Sequence, residues 1–364
     1  MSTPEEPIRV GDYLGDTGHI HVVLNERSSQ YGRVITTAVG QLLLNYGKRI
    51  NPIWTEPKPE LTQEKIVEEL SQRVNDEYND ILVTAGGDGS DSIVVTALLK
   101  TPGLEDTVRD TPILSFYGGN ANMGPAELTP KRPFTRPSIL EIINNGYIDS
   151  ARPLAISISS EQPLYEDPDR EPFSDIDLLA AYFGGIGITG KSADELERVR
   201  GKSYRSNVIG RNIIDSMAVL RGIRRSRSTP FDVDETITSA DGSSSTKTHK
   251  QIYEASFVNG ARMAKYGHFP SSLSQDEFFK FVISDVRWTN LISTVLKMRF
   301  SKITGEMISG SDSVTLSYQN LNRKEQIYGH FDGEPCLLPD QGNVTVNQSE
   351  RSYRVVTTNR PAGN

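Results

Sequence analysis

The sequence has a single cysteine, Cys336, among 364 residues, which excludes an intramolecular disulfide. Lys and Arg number 39 against 47 Asp and Glu, so the net charge is -8 and the basic excess of a general nucleic-acid binder is absent. No segment approaches the run of about 18 apolar residues that a membrane-spanning helix needs, and the amino-terminal residues show no leader pattern. These absences favour a cytoplasmic protein without a transmembrane segment or a nucleic-acid partner.

The first part of the chain alternates short apolar strands with helices. A chain of this length suits about two domains, and the alternation predicts an α/β domain over residues 18–150, with a doubly wound parallel sheet. The predicted strands cover residues 19–24, 51–55, 81–85 and 111–116, and the predicted helices cover residues 32–46, 62–75 and 92–100.

Beyond residue 150 the pattern changes to strands in succession. They are predicted at residues 153–159, 177–183, 230–237, 251–258, 278–284 and 313–318. One long helix from about residue 194 to 225, interrupted near 201, breaks the series, and polar segments 161–171 and 239–248 predict exposed, mobile loops. The pattern favours an antiparallel β-sandwich domain over 151–339, after which the chain rejoins the first domain at about 340–360.

A glycine turn follows the third predicted strand. Residues 81–90 read Ile-Leu-Val-Thr-Ala-Gly-Gly-Asp-Gly-Ser, in which Gly86, Gly87 and Gly89 allow a ligand to approach the backbone closely. The N–H groups and dipole of the following helix favour a phosphate. Asp88, placed among such phosphates, would hold Mg²⁺. The alternative is an ordinary strand-to-helix turn with Asp88 as a local cap.

Small and polar residues also follow the other predicted strands. They lie at residues 25–29, at Thr55 and at residues 118–122. Because ligands bind a doubly wound sheet at the carboxyl ends of its strands, we expect these loops to meet the glycine turn at one edge.

A second nucleotide motif lies in the middle of the chain. Gly185-Ile-Gly-Ile-Thr-Gly-Lys191-Ser192 satisfies the P-loop pattern, which would place Lys191 on phosphates and Ser192 on Mg²⁺. A P-loop core needs further parallel strands separated by helices, whereas the later segments predict strands in succession. The alternative is a tight glycine-rich turn without a ligand.

Four arginines lie near the end of the predicted long helix: Arg221, Arg224, Arg225 and Arg227. They would suit anionic lipid headgroups. We favour the alternative, a solvated helix end whose cations complement the dipole.

The motifs together resemble the diacylglycerol kinase-like family, which includes bacterial lipid kinases and sphingosine kinases. NAD kinases share its fold more distantly. The resemblance covers about residues 19–356 and rests on the glycine turn, the Gly-Asn turn at 118–122, the β-rich second half and the late Asp332-Gly333-Glu334. It implies that nucleotide is bound by Asn25, Ser28, Ser29, Thr55, Gly86, Gly87, Asp88, Gly89, Ser90, Gly119, Asn120 and Asn122.

This sequence departs from the family pattern at three positions. Ser90 replaces the usual Thr and keeps its hydroxyl, while Asn120 stands for a Thr and Met123 for an Asp. In the second half, the resemblance implies Glu334 as the catalytic base with Asp332 supporting it, and Asp276 as a ligand of a structural metal.

The function implied by the resemblance is that of an ATP-dependent, Mg²⁺-requiring kinase for a hydroxyl of diacylglycerol or a related lipid. Glu334 would accept the hydroxyl proton, and Asp88 would position the metal between the phosphates. Such an enzyme would work in the cytoplasm or at the periphery of a membrane, and relatives often form homodimers. The alternatives are an NAD kinase-like enzyme and a non-catalytic nucleotide- or lipid-binding relative.

Overall fold

The structure, a computed structural model, describes residues 7–26, 35–56, 59–73, 79–117, 123–129, 137–164, 173–199, 208–263, 267–273, 275–300, 302–332 and 334–359. The chain divides into two compact units. Residues 1–152 with 350–364 form the first unit, and residues 153–349 form the second.

The first unit contains a six-stranded sheet. Its strands are β1 (Ile20–Leu24), β2 (Ile50–Trp54), β3 (Ile81–Gly86), β4 (Ile113–Tyr117), β5 (Tyr147–Ala151) and β20 (Tyr353–Thr357). They lie in the order β2-β1-β3-β4-β20-β5, and all neighbours are parallel except β20 and β5. All residues of β1, β3 and β4 are buried, as expected for a parallel sheet covered on both faces.

Helices of the first unit alternate with these strands. They are α1 (Val10–Leu14), α2 (Thr36–Tyr46), α3 (Pro59–Arg73), α4 (Asp88–Lys100), α5 (Asp106–Arg109), α6 (Met123–Leu128) and α7 (Ile139–Asn145). Helix α4 begins four residues before its predicted start at residue 92. The reason is that the backbone N–H groups of Ser90 and Asp91 both donate to the carbonyl of Gly87, which closes the first helical turn.

The second unit is a β-sandwich. Its main strands are β6 (Leu154–Leu164), β7 (Phe173–Ala180), β8 (Phe183–Gly187), β9 (Phe231–Thr238), β10 (Ser244–Ile252), β11 (Glu254–Val258), β14 (Glu277–Ile283), β15 (Glu306–Ser309), β16 (Ser313–Asn320), β17 (Ile327–Phe331), β18 (Glu334–Leu338) and β19 (Gln341–Gln348), with a short pair β12 (Arg262–Met263) and β13 (Gly267–His268). Two six-stranded antiparallel sheets have the orders β10-β9-β16-β19-β6-β7 and β15-β14-β11-β8-β17-β18. Apolar residues of both sheets share one core, for example Ile156 and Phe231 with Phe257. The predicted fold class, an α/β domain with a doubly wound parallel sheet followed by an antiparallel β-sandwich, is confirmed.

The described residues of the second unit include three helices: α8 (Ile188–Val199), α9 (Val208–Ser226) and α10 (Trp288–Arg299). The predicted start near residue 194 is wrong, because α8 begins at Ile188. Residues 200–207 lie outside the described residues. Helix α10 was not predicted at all, since its Thr, Ile and Val residues are weak helix formers. Among the described helices, none combines the length and apolarity needed to cross a bilayer.

Two further local predictions are wrong in the second unit. The predicted strand at 177–183 is divided between β7 and β8 by a turn at residues 181–182. Residues 244–248, predicted as a mobile loop, form the start of β10, where Thr246 and Thr248 make hydrogen bonds with the β9 residues Thr236 and Asp234. Residues 165–171 of the other predicted loop lie outside the described residues.

Candidate functional site

The glycine turn connects β3 to α4 at the carboxyl edge of the parallel sheet. A Cβ atom at Gly86 would overlap the side chain of Ser90, so only glycine lets the first helical turn fold back so closely on the strand. The Ser90 hydroxyl is buried and accepts a hydrogen bond from Asn25 Nδ2 at 3.2 Å. The turn therefore brings together two of the predicted nucleotide residues, which are 65 positions apart in the sequence.

The end of β2 lies at the same edge. The backbone N–H of Thr55 donates to the carbonyl of Leu24 at 3.0 Å, which fixes Thr55 beside the end of β1 and the start of the Asn25 loop. Thr55 and Asn25 are half-buried. Five of the predicted nucleotide-binding residues lie outside the described residues: Ser28, Ser29, Gly119, Asn120 and Asn122. Their role in nucleotide binding stays a prediction.

Asp88 is the first residue of α4, and its carboxylate contacts another helix. Its Oδ1 accepts the backbone N–H of Met123 at 2.6 Å and that of Gly124 at 3.4 Å, both in the first turn of α6. The side chain is nearly buried. Asp88 therefore connects the starts of α4 and α6, and the helix that its side chain caps is α6, not the turn in which it lies.

A second carboxylate at this turn was not identified from the sequence. Asp91 is buried in α4 and accepts a hydrogen bond from the hydroxyl of Thr84 in β3. The pair joins the strand to the helix directly behind the glycines and holds the turn in place. An acidic residue in the first turn of a helix and a Thr in an otherwise apolar strand were the available signals.

Asp332 lies in the second unit, at the turn between β17 and β18, and is almost fully buried. Its carboxylate accepts backbone N–H groups from Ala181, from Tyr182 (3.0 Å) and from Phe183 (2.8 Å). Its backbone has a φ of 46°, in the left-handed region that suits a tight Asp-Gly hairpin turn. Asp332 thus fixes both the hairpin and the turn that separates β7 from β8.

The hairpin positions the backbone of Glu334, which pairs with Phe331 across the turn. The side chain of Glu334 and the whole of Gly333 lie outside the described residues, so the role of Glu334 as catalytic base stays a prediction. The role of Asp332 as its support also stays a prediction, and the contacts above give Asp332 a positioning function.

Asp276, the predicted ligand of a structural metal, is exposed just before β14. Its backbone carbonyl accepts the N–H of Gly310 at 2.6 Å. Among the described residues, no group of three or more His, Cys, Asp or Glu side chains is arranged to hold a metal ion. Binding of a metal by Asp276 stays a prediction.

In the P-loop-like segment, a side chain of the protein lies where a phosphate would bind. Gly185 and Gly187 belong to β8, and the N-terminus of α8 faces a buried carboxylate, Glu254. Glu254 accepts the backbone N–H of Thr189 at 2.9 Å and its hydroxyl at 2.7 Å. Burial raises the pKa of Glu254 to about 7, although hydrogen bonds from Ser256 and Thr189 oppose that shift. A carboxylate therefore takes the position where a P-loop would hold phosphate.

Lys191 of the same segment is buried and points to the end of α9. Its Nζ donates to the hydroxyl of Thr229 and lies 3.5 Å from the carbonyl oxygen of Arg225. Burial lowers the pKa of Lys191 to about 8. A Cβ atom at Gly190 would lie 2.5 and 2.7 Å from the carbonyl oxygens of Tyr328 and Gly329, so this glycine lets α8 pack on β17. The glycines and the lysine of the motif are packing residues.

The first unit is a parallel sheet with a glycine turn at its carboxyl edge, and the second unit is an antiparallel sandwich. Two crystal structures from Bacillus anthracis str. Sterne have this fold, one a diacylglycerol kinase and one provisionally named so. The chain is 13% and 12% identical to them, respectively, with a TM-score of 0.55 in each case, and each match covers 92% of this chain and 96% of the other. The resemblance to the diacylglycerol kinase-like family is thereby confirmed for the fold. No family model and no curated protein matches the sequence.

Proposed function

We propose that the protein is an ATP-dependent lipid kinase, which transfers the γ-phosphate of ATP to a hydroxyl of diacylglycerol or a related lipid. The observation that carries the proposal is the β3–α4 glycine turn, which closes on Ser90 and lies beside Asn25 and Thr55 at the carboxyl edge of the parallel sheet. This edge is the place where doubly wound sheets bind their ligands.

The turn suits a triphosphate for two reasons. The backbone N–H groups in the first turn of a helix have no carbonyl partner within that helix. At this turn the N–H groups of Ser90 and Asp91 donate to the carbonyl of Gly87. The N–H groups of Gly87 and Gly89 are therefore the candidate phosphate donors. Glycines also leave room for phosphate oxygens against the backbone.

Mg²⁺ fits the donor set at this turn. In phosphoryl-transfer enzymes the ion is held by one or two carboxylates together with the phosphates of the nucleotide. Asp88 would supply the carboxylate, and when bound the ion would neutralise charge on the phosphates.

The reaction itself requires that the phosphates and the acceptor hydroxyl are correctly positioned and that one group accepts a proton. The acceptor hydroxyl oxygen forms a bond to the γ-phosphorus while the bond between that phosphorus and the β–γ bridging oxygen breaks, and ADP leaves. The hydroxyl proton passes to a base, for which Glu334 is our candidate. Asp332 would keep the Glu334 hairpin in place through its three backbone N–H contacts.

The lipid acceptor is supported by the motif resemblance and by the likeness in fold to a protein named diacylglycerol kinase. A non-catalytic nucleotide-binding relative is the second candidate. It is favoured by the contact between Asp88 and the N–H of Met123, since that contact gives the carboxylate a structural use without metal.

The test is phosphate transfer from labelled ATP in the presence of Mg²⁺, with diacylglycerol in mixed vesicles, a sphingoid base and NAD as separate acceptors. We expect a labelled lipid, and we expect Glu334→Gln to lower its formation by roughly 100-fold or more while ATP binding is kept. Glu350→Gln, the same change at an exposed glutamate, is the matched control.

Label on NAD alone would reject the lipid acceptor. ATP binding without label on any acceptor would support the non-catalytic candidate. Full activity of Glu334→Gln would reject the assignment of the base.

A further inference from the structure

The carboxyl-terminal part of α10 exposes large apolar side chains. Leu296 is 52% exposed and Phe300, directly after the helix, is 66% exposed. The backbone N–H of Phe300 donates to the carbonyl of Leu296 at 3.2 Å, so the two side chains follow each other by one helical turn. Large apolar side chains that are exposed side by side often mark a surface that contacts a partner or a membrane.

Basic side chains surround these two residues. Lys297, Arg299 and Lys302 are all exposed, and the backbone N–H of Lys302 donates to the carbonyl of Lys297 at 2.7 Å, which brings the two lysines to the same end of the helix. We call Leu296, Lys297, Arg299, Phe300 and Lys302 the α10 patch. A groove of about 330 Å³ is lined by four of them together with Thr289 and Ser293.

The charge of this region is opposite to that of the whole chain. Residues 288–305 contain three Lys and Arg and no Asp or Glu, whereas the protein has a net charge of -8. The neighbouring hairpin adds one more cation, Arg262, whose guanidinium lies beside His268; burial and the charges of Arg262 and Arg299 hold the pKa of His268 below its ordinary value. Within the described residues, no ion pair joins Lys297, Arg299 or Lys302 to an acid.

A simpler account of the cations is that they complement the dipole at the end of α10. That account explains Lys297 and Arg299 but gives no reason for an exposed Phe300 between them. Apolar side chains ringed by Lys and Arg are typical of segments that lie at the surface of an anionic membrane, where the apolar groups enter the lipid and the cations stay at the phosphates.

We propose that the α10 patch docks the protein on an anionic phospholipid bilayer. Leu296 and Phe300 would enter the interface between headgroups and acyl chains, and Lys297, Arg299 and Lys302 would contact lipid phosphates. This proposal deepens the proposed function, on which it rests for its purpose, because a lipid kinase must meet its acceptor at a membrane.

The test is co-sedimentation with vesicles of phosphatidylcholine, with or without phosphatidylglycerol, in the absence of ATP. We expect binding to the vesicles that contain phosphatidylglycerol, little binding to phosphatidylcholine alone, and loss of binding as salt screens the charges. Lys297→Gln with Lys302→Gln should weaken binding by on the order of 20-fold, since each cation near such a surface strengthens it about fivefold. Phe300→Ser should weaken it by roughly tenfold or more.

A matched control lies on the first unit. Leu44 is 87% exposed and Lys48 is exposed one turn later, so Leu44→Ser with Lys48→Gln makes the same kinds of change outside the α10 patch. The control should bind vesicles as the native protein does. Equal weakening of vesicle binding by the control and by the patch variants would overturn the proposal. Equal binding to vesicles with and without phosphatidylglycerol would also overturn it.

A second copy of the chain is the other occupant that the experiment tests. If gel filtration without lipid gave a dimer that Phe300→Ser converts to a monomer, the patch would be a contact between copies and the membrane proposal would be overturned. Because vesicle binding is measured without ATP, its failure is distinct from a failure of phosphate transfer.

Discussion

The carboxylate of Glu254 accepts both the backbone N–H and the hydroxyl of Thr189, at 2.9 and 2.7 Å, at the first turn of α8. Glu254 is fully buried, and no cation is needed for this contact because helix N–H groups and hydroxyls are its donors. The side chain is therefore a buried acid held by neutral groups, which makes the stability of the second unit depend on pH.

The sign of that dependence follows from the pKa of Glu254, which burial raises to about 7 from an ordinary 4.5. The native state holds the proton more tightly than the unfolded state, so the free energy of unfolding falls as pH rises from about 4.5 to 7. The loss amounts to about 3 kcal/mol, since each tenfold change in proton affinity is about 1.4 kcal/mol. Glu254→Gln cannot ionise and should remove this part of the pH dependence.

Urea unfolding at a series of pH values measures the effect, with hydrogen exchange of β11 peptides reporting on the second unit. Asp285→Asn is the control. Hydrogen bonds from Arg287 lower the pKa of Asp285 to about 2, so its removal should leave the slope above pH 4.5 unchanged. A slope that stays the same in Glu254→Gln would contradict the prediction.

Lys191 gives a direct test of the P-loop alternative. Burial lowers the pKa of its ammonium group to about 8, and its partners are the Thr229 hydroxyl and a carbonyl of α9. We expect Lys191→Met to bind ATP as the native protein does and to be at least as stable at pH 7, since a buried charge is replaced by an apolar chain of similar length. Isothermal titration with ATP and thermal unfolding measure the two quantities. Loss of ATP binding in a folded Lys191→Met variant would revive the P-loop site.

Asp88 allows its capping role to be separated from metal binding. Asp88→Asn keeps an oxygen that can accept the N–H of Met123 but removes the negative charge, whereas Asp88→Ala removes both. If the carboxylate positions Mg²⁺, Asp88→Asn should lose phosphate transfer by roughly 100-fold or more with its stability almost unchanged. Asp88→Ala should in addition lose about 1 kcal/mol of stability, as expected for loss of a helix cap.

The measurements are titration of ATP with and without Mg²⁺, phosphate transfer, and thermal unfolding of both variants. In the native protein, Mg²⁺ should strengthen ATP binding, and this gain should vanish in Asp88→Asn. Native-like transfer and an intact Mg²⁺ effect in Asp88→Asn would show that the carboxylate serves only to join α4 and α6.

Much of the first unit could be predicted because its signals are local. The apolar run at 81–85, the glycines after it and the alternation of strands and helices depend on neighbours a few residues apart, and β3, the turn and α4 are found there. The start of α4 at Asp88 was missed because it depends on the Gly87 carbonyl accepting two N–H groups.

The sequence by itself determined the fold class, since strand and helix periodicities and glycine turns are properties of short segments. Only the tertiary structure decided what the polar groups do. The motif from Gly185 to Ser192 matches a phosphate loop in sequence, but in the structure Glu254 lies where the phosphate would bind. Asp332 accepts hydrogen bonds from the N–H groups of residues 181–183, about 150 positions away in the sequence. The physical reason is that a buried charged group needs hydrogen-bond donors, and the fold supplies them from residues far apart in the sequence. The sequence positions alone do not show which residues will meet.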